Sequence, residues 1–449
     1  MANRIIVMDL GGYGSHVAAR EVRKLQVYSE IFPIQASLAE VLEEGARGVI
    51  LTGKQDGNLA GREEVYSAVR KLLEAGIPVL AVGSGFDWLV ERAEEQRAAG
   101  LVTVFPGGIE SLAEPSGKEV LEDFVGSVCR CEPTWTMEAF VESSIQRIRS
   151  EVGSELVVCG LSGGVDSAVA AALVHQAVGS QLTCIFVDHG FMRKYEAETV
   201  ADIFRRRFGK SFIAVDAKER FFAQVKGVTD PEEKRKRIGG EFIRVFEEEA
   251  AKLGKVRYLV QGTVYPDVVE SGAGQGALVK SHHNVGGLPE KMDFRLLEPL
   301  RWLFKDEVRK VGQILGLPDE LVWRQPFPGP GLAVRVIGEV TPAKVAVLQD
   351  ADYILRDEIK KAGLERDIWQ YFAVLTDTRA VGVQDQRRTY GYVLAIRAVN
   401  SVDGMTASWV QLPYHVLEKI SSRIMGEVKE ITRVVYDISS KPPATIEWE

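Results

Sequence analysis

The stretch VVCGLSGGVDSAVAAALV, residues 157–174, determines the fold at the centre of this chain. An apolar run typical of a buried strand ends at Ser162-Gly163-Gly164, and an apolar helical pattern follows directly. A strand that passes through glycines into a helix aims the first helical N–H groups at one spot, where an anion binds. The stretch therefore predicts a strand–loop–helix unit with a phosphate-binding loop at residues 162–167, called the phosphate loop below.

Further apolar runs follow this unit, each separated from the next by a helical pattern. They are LTCIFVDHG, SFIAVD and YLVQGT. Strands that alternate with helices predict a doubly wound parallel sheet, in which ligands bind at the carboxyl ends of the strands. We therefore expect the site residues of this region at that edge.

Two other regions have their own patterns. Residues 4–97 alternate helical patterns with the runs IIVMDL, GVILTG and PVLAVG, which predicts an N-terminal α/β domain. From about Arg335 a long helix (342–361) and β-like runs predict an α+β domain. The expected domains are residues 1–130, 131–330 and 331–449.

Composition limits the possible functions. The chain has 449 residues, 46% of them apolar and 26% charged, and no run approaches the ~18 apolar residues that a membrane helix needs. Its four cysteines include no CxxC pair, which argues against a disulfide framework or a zinc site. A net charge of -8 argues against nucleic acid as a partner. We expect a cytoplasmic protein with no membrane partner.

The residue types of the phosphate loop indicate which anion it binds. Ser162 and Ser167 add hydroxyl donors to the backbone N–H groups, and Asp166 beside a polyphosphate is explained by an intervening Mg²⁺. No GK[ST] closes the loop, so it is not of the kinase type. The prediction is a polyphosphate site with Asp166 as the Mg²⁺ ligand.

The SGGVDS sequence resembles the signature of the pyrophosphatase-type ATP enzymes, which cleave ATP between the α- and β-phosphates. Longer motifs resemble the GMP synthetase family, from about Glu110 to the last residue and more weakly at the N-terminus. They are PEEKRKRIGGEF (231–242), QGTVYPDVVESG (261–272), VKSHHNVGGLP (279–289), LLEPLRWLFKDEVR (296–309), VWRQPFPGPGLAVRV (322–336), VNSVDGMTASW (399–409) and RVVYDISSKPPATIEWE (433–449).

This resemblance implies a fold and a reaction. The fold would be α/β, with a flavodoxin-like glutaminase-type N-terminal domain, a central adenine-nucleotide alpha-hydrolase-like (PP-loop) domain and a C-terminal α+β dimerisation domain, hence a homodimer. The reaction would be adenylation of XMP by MgATP, followed by attack of ammonia to give GMP. The resemblance assigns ATP binding to Ser162, Gly163, Gly164, Val165, Asp166, Ser167 and Lys280, catalysis to Asp166 and Lys280, and XMP binding to Arg235, Gln384, Arg388, Lys441 and Glu447.

The chain departs from the family pattern in its N-terminal domain. The family carries a cysteine nucleophile after the strand at 78–83 and a later histidine, but Gly83 and Gly108 stand at these positions, and only Glu110 is kept. Both the thiolate and its base are therefore missing. We expect a shortened, inactive glutaminase-like domain and a synthetase that uses ammonia, either free or from a separate protein.

A second departure replaces the family's Gly-Asp pair by Asp385-Gln386. This change leaves open a relative that adenylates a different purine nucleotide or uses another nucleophile. A nucleotide-binding regulator without catalysis is a further alternative. We interpret the adjacent His282-His283 as part of a loop over the nucleotide rather than a metal pair, since neighbouring residues do not face the same way.

Overall fold

The computed structural model describes residues 3–10, 14–43, 45–53, 59–95, 99–270, 294–384, 386–401, 404 and 406–449. The chain forms two compact units, Met1–Ser143 and Ser144–Glu449. The domain boundaries expected near residues 130 and 330 stay predictions. Among the helices of the described ranges, none is long and apolar enough to cross a membrane.

The first unit contains a five-stranded parallel sheet in the order β2-β1-β3-β4-β5. This is the flavodoxin-like order that the family resemblance implies. Strands β3 and β4 are almost wholly buried, which explains their uninterrupted apolar runs. The elements are β1 (Arg4–Asp9), α1 (Gly14–Lys24), β2 (Tyr28–Pro33), α2 (Leu38–Glu43), β3 (Ala46–Thr52), α3 (Leu59–Glu74), β4 (Val79–Val82), α4 (Asp87–Glu95), β5 (Val102–Phe105) and α5 (Pro115–Asp123); α6 (Met137–Val152) follows them.

The second unit begins with another five-stranded parallel sheet, in the order β10-β9-β6-β7-β8. The strand order reverses between β6 and β9, which is where doubly wound sheets bind their ligands. The elements are β6 (Leu156–Leu161), α7 (Val165–Val178), β7 (Leu182–Asp188), α8 (Glu196–Phe208), β8 (Phe212–Asp216), α9 (Lys218–Val225), α10 (Pro231–Ala251), β9 (Val256–Val260), α11 (Tyr265–Glu270), β10 (Arg295–Leu297), α12 (Lys305–Ile314) and α13 (Asp319–Val322).

The rest of the second unit is a mixed sheet covered by two helices. Two long antiparallel strands form a hairpin, and the last strand of the chain runs parallel to the second of them. Leu355 and Ile420, from the two helices, share a buried core with Leu375 and Leu394 of the hairpin. The elements are α14 (Pro342–Lys361), β11 (Gln370–Gln384), β12 (Arg387–Asn400), β13 (Ser408–Trp409), α15 (Tyr414–Glu427) and β14 (Ile431–Asp437).

Two long helices of this unit start with strong local signals. Asp230 caps α10 by accepting the N–H of Glu233 at 2.8 Å, and Thr341 caps α14 by accepting the N–H of Lys344 at 3.2 Å. A proline follows each cap, at a position where a helix needs no N–H donor. These signals fix where α10 begins, and α10 carries site residues.

Candidate active site

The phosphate loop joins β6 to α7 and is held by its own small side chains. The hydroxyl oxygens of Ser162 and Ser167 are 3.1 Å apart, and the Ser167 hydroxyl donates to the Gly164 carbonyl at 3.2 Å. Gly163 has a φ of 74°, in the left-handed region that favours glycine. The loop can therefore turn sharply enough to present its backbone to a ligand.

The first turn of α7 is open to an anion. Gly164, its N-cap residue, has no side chain to accept from the first helical N–H groups. Gly262, just after β9, lies so close that a Cβ atom there would come 2.9 Å from the Ser167 nitrogen. The loop therefore lies at the reversal point of the sheet, between the carboxyl ends of β6 and β9.

Asp166, in the first turn of α7, is paired on one side only. Its Oδ2 atom forms an ion pair with Nζ of Lys305, the first residue of α12. Its Oδ1 atom is buried and has no hydrogen-bond partner among the described residues. Buried polar atoms of this kind are rare in native proteins, and a ligand is one common explanation.

The surroundings of Asp166 fit Mg²⁺ in the form in which ATP enzymes use it. Mg²⁺ is usually held by one or two carboxylates together with substrate phosphates and water, rather than by a full set of protein ligands. Within the described ranges, no group of three or more His, Cys, Asp or Glu residues could hold a metal ion. The free Oδ1 atom of Asp166 thus suits an ion that arrives with a polyphosphate.

A second cation of α12 accompanies Lys305. Arg309 lies four residues later, on the same face of the helix, and interacts electrostatically with Asp166. Its guanidinium carbon lies 5.2 Å from the ring centre of Trp323. Burial lowers the pKa of Arg309, while Asp166 and Asp306 oppose that shift. Together, Lys305 and Arg309 make this edge of the loop electropositive.

Arg324 contacts the other side of the loop. Its Nη1 atom donates to the carbonyl oxygen of Gly163, and its Nε atom donates to Glu196 at 2.8 Å. Although burial opposes ionisation, Arg193 and Arg324 lower the pKa of Glu196 to about 2. Glu196 is therefore ionised at neutral pH and fixes the guanidinium that contacts the loop.

Helix α10 contacts the last residue of the chain. Arg235 donates through Nη2 to the backbone oxygen of Glu449, and the wholly buried Lys234 forms an ion pair with the Glu449 side chain. Burial lowers the pKa of Lys234, and Glu449 opposes this shift. A cavity of about 590 Å³ opens beside these residues, lined by Ile337, Thr376, Asp377, Thr378, Trp448 and Glu449.

Lys441 and Glu447 lie in the same C-terminal segment. Nζ of Lys441 donates to the Gly404 carbonyl at 2.8 Å. Glu447 accepts two hydrogen bonds from the buried Arg335, at 2.9 and 2.7 Å, and one from Gln370 at 3.1 Å. Lys441 and Glu447 therefore belong to the C-terminal segment, and Arg235 contacts the last residue of that segment.

Gln384 and Arg388 lie elsewhere, at the tip of the β11–β12 hairpin. Arg388 pairs with Val383 in the hairpin, whereas Asn400, twelve residues along β12, pairs with Ser408 beside the Lys441 segment. At ~3.3 Å per strand residue, the tip is about 40 Å from that end of the strand. A nucleotide is far too short to span this distance, so one chain does not bring Arg388 to Lys441.

The turn at the hairpin tip has two residues, since Gln384 pairs with Arg387. Gln386 has a φ of 63°, a conformation that costs a non-glycine residue about 1 kcal/mol. Asp385 lies outside the described residues, as do Lys280, His282 and His283. The roles assigned to these four residues stay predictions.

The turn after β4 is sharp and carries Gly83, Ser84 and Gly85, with no cysteine. Gly83 has a φ of 125° and Gly85 a φ of 96°. The two cysteines of the first unit offer no substitute, because burial raises the pKa of Cys131 to about 11 and that of Cys129 further still. Both thiols are protonated at neutral pH and poor nucleophiles.

Taken together, the sheet order, the phosphate loop and the carboxylate at the start of α7 define an ATP-using enzyme of the PP-loop class. Residues 136–238 match the NAD synthase family, and residues 357–448 match the GMP synthase C terminal domain family. Over its whole length the chain is 48% identical to the "GMP synthase [glutamine-hydrolyzing]" of Carboxydothermus hydrogenoformans, covering 100% of that protein. The chain belongs to the GMP synthase family.

A second relative agrees with this membership. The enzyme of the same name from Acetivibrio thermocellus is 49% identical over 99% of both chains. The alignment with the Carboxydothermus protein extends over 516 positions, more than the 449 residues of this chain. The aligned sequence of this chain therefore contains gaps. An ammonia-dependent NAD synthetase structure from Campylobacter jejuni has a TM-score of 0.32 at 15% identity, covering 52% of this chain and 86% of its own.

Several site residues are not predicted by the sequence reasoning. They are Lys305, Arg309 and Arg324 beside the loop, Lys234 beside the C-terminal segment, and Glu196 and Arg335, which hold other site residues in place. One available signal was the four-residue spacing of Lys305 and Arg309 after a strand of the sheet. The others are visible only in the folded chain.

Proposed function

We propose that this protein is an ammonia-using ligase that converts XMP into GMP with ATP. The C2 oxygen of XMP attacks the α-phosphorus of ATP, and pyrophosphate leaves. Ammonia then attacks C2, AMP leaves as GMP forms, and a proton passes to solvent. The observation that carries the proposal is the half-paired Asp166 beside an uncapped helix start, in a chain of the GMP synthase family.

The described residues supply definite parts of this reaction. The N–H groups at the start of α7, Ser162 and Ser167 bind the β- and γ-phosphates of ATP. Asp166 would hold Mg²⁺, which would neutralise phosphate charge. Lys305 leaves its ion pair with Asp166 and binds the departing pyrophosphate. Arg235, Lys441 and Glu447 bind XMP, and Lys280, which lies outside the described residues, adds charge at the phosphates.

The proposal is tested by measuring pyrophosphate release across a panel of purine nucleotides, with saturating MgATP and ammonium. We expect release with XMP, together with equal amounts of GMP and AMP. A control without ammonium separates adenylation from amination. Release with another purine and none with XMP would favour a relative with a different substrate, and release with none of them would favour a regulator.

We also propose that the protein works as a homodimer in which the hairpin tip serves the partner's site. Val381, Val383 and Tyr390 leave apolar surface exposed along this arm, with Val383 75% and Tyr390 65% exposed. Such a surface suits a protein contact. If Gln384 and Arg388 bind XMP, the distance of about 40 Å along β12 requires that they bind it in a second copy.

Mixed dimers test this arrangement. Arg388→Ala and Lys441→Gln should each lose XMP turnover alone. Co-expressed, they should recover about a quarter of the unmodified activity, because random pairing of two chains leaves one intact site in each mixed dimer. Arg387→Ala is the control and should keep its activity, because Arg387 faces the other side of the same strand. Mixtures without recovery would place both residues in one chain's site or in none.

A further inference from the structure

Phe327 is surrounded by three guanidinium groups. The central carbon atoms of Arg193, Arg324 and Arg335 lie 4.4, 5.5 and 5.2 Å from the centre of its ring. We call these four residues the Phe327 cluster. The side chains of the three arginines are at most 8% exposed, so the aromatic face and nearby carboxylates replace most of the water that they would bind.

One end of the cluster is the phosphate loop. Arg324 holds the carbonyl oxygen of Gly163, and a Cβ atom at Gly163 would come 2.7 Å from the Arg324 Nη1 atom. The carbonyl of Gly163 and the N–H of Gly164 belong to one planar peptide and point in opposite directions. By fixing the carbonyl, Arg324 also fixes the direction of the Gly164 N–H, which donates to Ser162 Oγ at 3.3 Å within the phosphate loop.

The other end is the C-terminal segment. Arg335, wholly buried, forms the paired hydrogen bonds to Glu447 and also stacks on Phe372 at 3.9 Å. A planar fork of this kind positions a carboxylate closely. Glu447 is the residue through which the proposed XMP site meets the cluster.

Arg193 shares Glu196 with Arg324 and interacts electrostatically with Glu447 at the other end. Glu196 accepts from Arg193 at 3.2 Å and from Arg324 at 2.8 Å, and Asp352 lies 3.8 Å from Arg193. Within the described ranges, one nitrogen of Arg324, one of Arg335 and two of Arg193 are buried without a hydrogen-bond partner. Unsatisfied donors of this kind leave other hydrogen-bond arrangements open to the cluster.

We propose that Arg324 and Phe327 are positioning residues that couple nucleotide binding at Glu447 to the shape of the phosphate loop. When XMP binds Glu447, the hydrogen bonds between Glu447 and Arg335 change. The Phe327 ring, which contacts all three arginines, transmits this change to Arg193 and Arg324. The Gly163 peptide then takes the orientation that binds ATP. This inference rests on the proposed function. It adds a means by which ATP binds productively only when the acceptor nucleotide is present.

Arg324→Lys tests the loop end of the cluster. Lysine keeps the charge but has no fork, so it cannot hold Gly163 and Glu196 together. We expect the Kd of Mg²⁺ with α,β-methylene ATP, measured by calorimetry on the full chain without XMP, to rise roughly tenfold, the loss of one hydrogen bond to a charged group. Arg366→Lys, a half-exposed arginine that stacks on Trp323, is the matched control. An unchanged Kd in Arg324→Lys would overturn this assignment.

Phe327→Leu tests the coupling itself, because leucine keeps apolar volume but offers no aromatic face. In the unmodified chain XMP should tighten binding of the ATP analogue; in the variant each ligand alone should bind within about twofold of normal while that gain disappears. A merely structural role would weaken both ligands together. A gain that persists in the variant, or is absent from the unmodified chain, would overturn the coupling. If the unmodified chain binds the ATP analogue but releases no pyrophosphate with XMP, the proposed function fails, and the Arg324→Lys comparison still stands.

Discussion

We expect the Asp166→Asn substitution to lower pyrophosphate release by roughly a thousandfold, the effect of losing a charge that neutralises phosphate during the reaction. Asparagine keeps the size of the side chain and removes its negative charge. Steady-state pyrophosphate release with XMP, ammonium and saturating MgATP measures the effect. Raising the Mg²⁺ concentration should restore only part of the rate, because the amide oxygen is a weaker ligand.

The variant must also be shown to fold. Asp166 lies at a partly exposed helix start and pairs with Lys305, so its loss should change thermal stability little. Asp202→Asn, on the exposed face of α8 where Asp202 pairs with Arg205, is the matched control and should keep full activity. A folded Asp166→Asn protein with normal turnover would show that another residue holds the metal.

The phosphate loop was predictable because its chemistry is local. Six consecutive residues supply the sharp turn, the hydroxyl groups, the carboxylate and the helix start, and the structure places them together at the reversal of strand order. A parallel sheet brings the carboxyl ends of its strands to one edge whatever the connecting helices contain. The position of the phosphate loop at this edge of the sheet therefore followed from pattern alone.

The residues that surround the loop depend on distant parts of the chain. Lys305 is 139 positions from Asp166, and Arg324 is 161 positions from Gly163. Taken alone, a lysine or arginine at the start of a helix or in a proline-rich segment looks like a solvated surface residue. Only the packing of α12 and α13 against α7 turns these side chains towards the loop.

The hairpin shows a different limit of sequence reasoning. The runs in β11 and β12 predict strands, and their apolar residues predict a core, as found for Phe372 and Val374. Their length does not reveal that the tip extends beyond the core. Register decides this, because pairing of Gln370 with Val399 fixes one end of the hairpin and leaves Gln384 and Arg387 at the other. Residues that a resemblance assigns to one site can therefore lie far apart within one chain.

Glutamine should not serve as a nitrogen donor for this chain, although relatives at 48% and 49% identity are named as glutamine-hydrolysing enzymes. Glutamine hydrolysis by this route needs a thiolate to attack the amide and a base to form that thiolate. Gly83 and Gly108 provide neither, and burial raises the pKa of Cys129 and Cys131, the two cysteines of the first unit. We expect GMP formation with ammonium and no glutamate from glutamine above the enzyme-free rate.

The measurement is glutamate release with XMP and MgATP present, using the Carboxydothermus hydrogenoformans enzyme as the positive control. Enzyme-dependent release would contradict the prediction. If a Ser84→Ala variant then lost this glutamate release, the exposed Ser84 would be identified as a replacement nucleophile. Gly83→Cys alone should not restore hydrolysis. The nearest atoms to a Cβ there, Gly53 O at 3.6 Å and Phe86 Cε2 at 3.7 Å, leave room for the side chain, but the φ of 125° is strained for any residue with a Cβ. A cysteine without a base would also stay a few per cent thiolate at neutral pH.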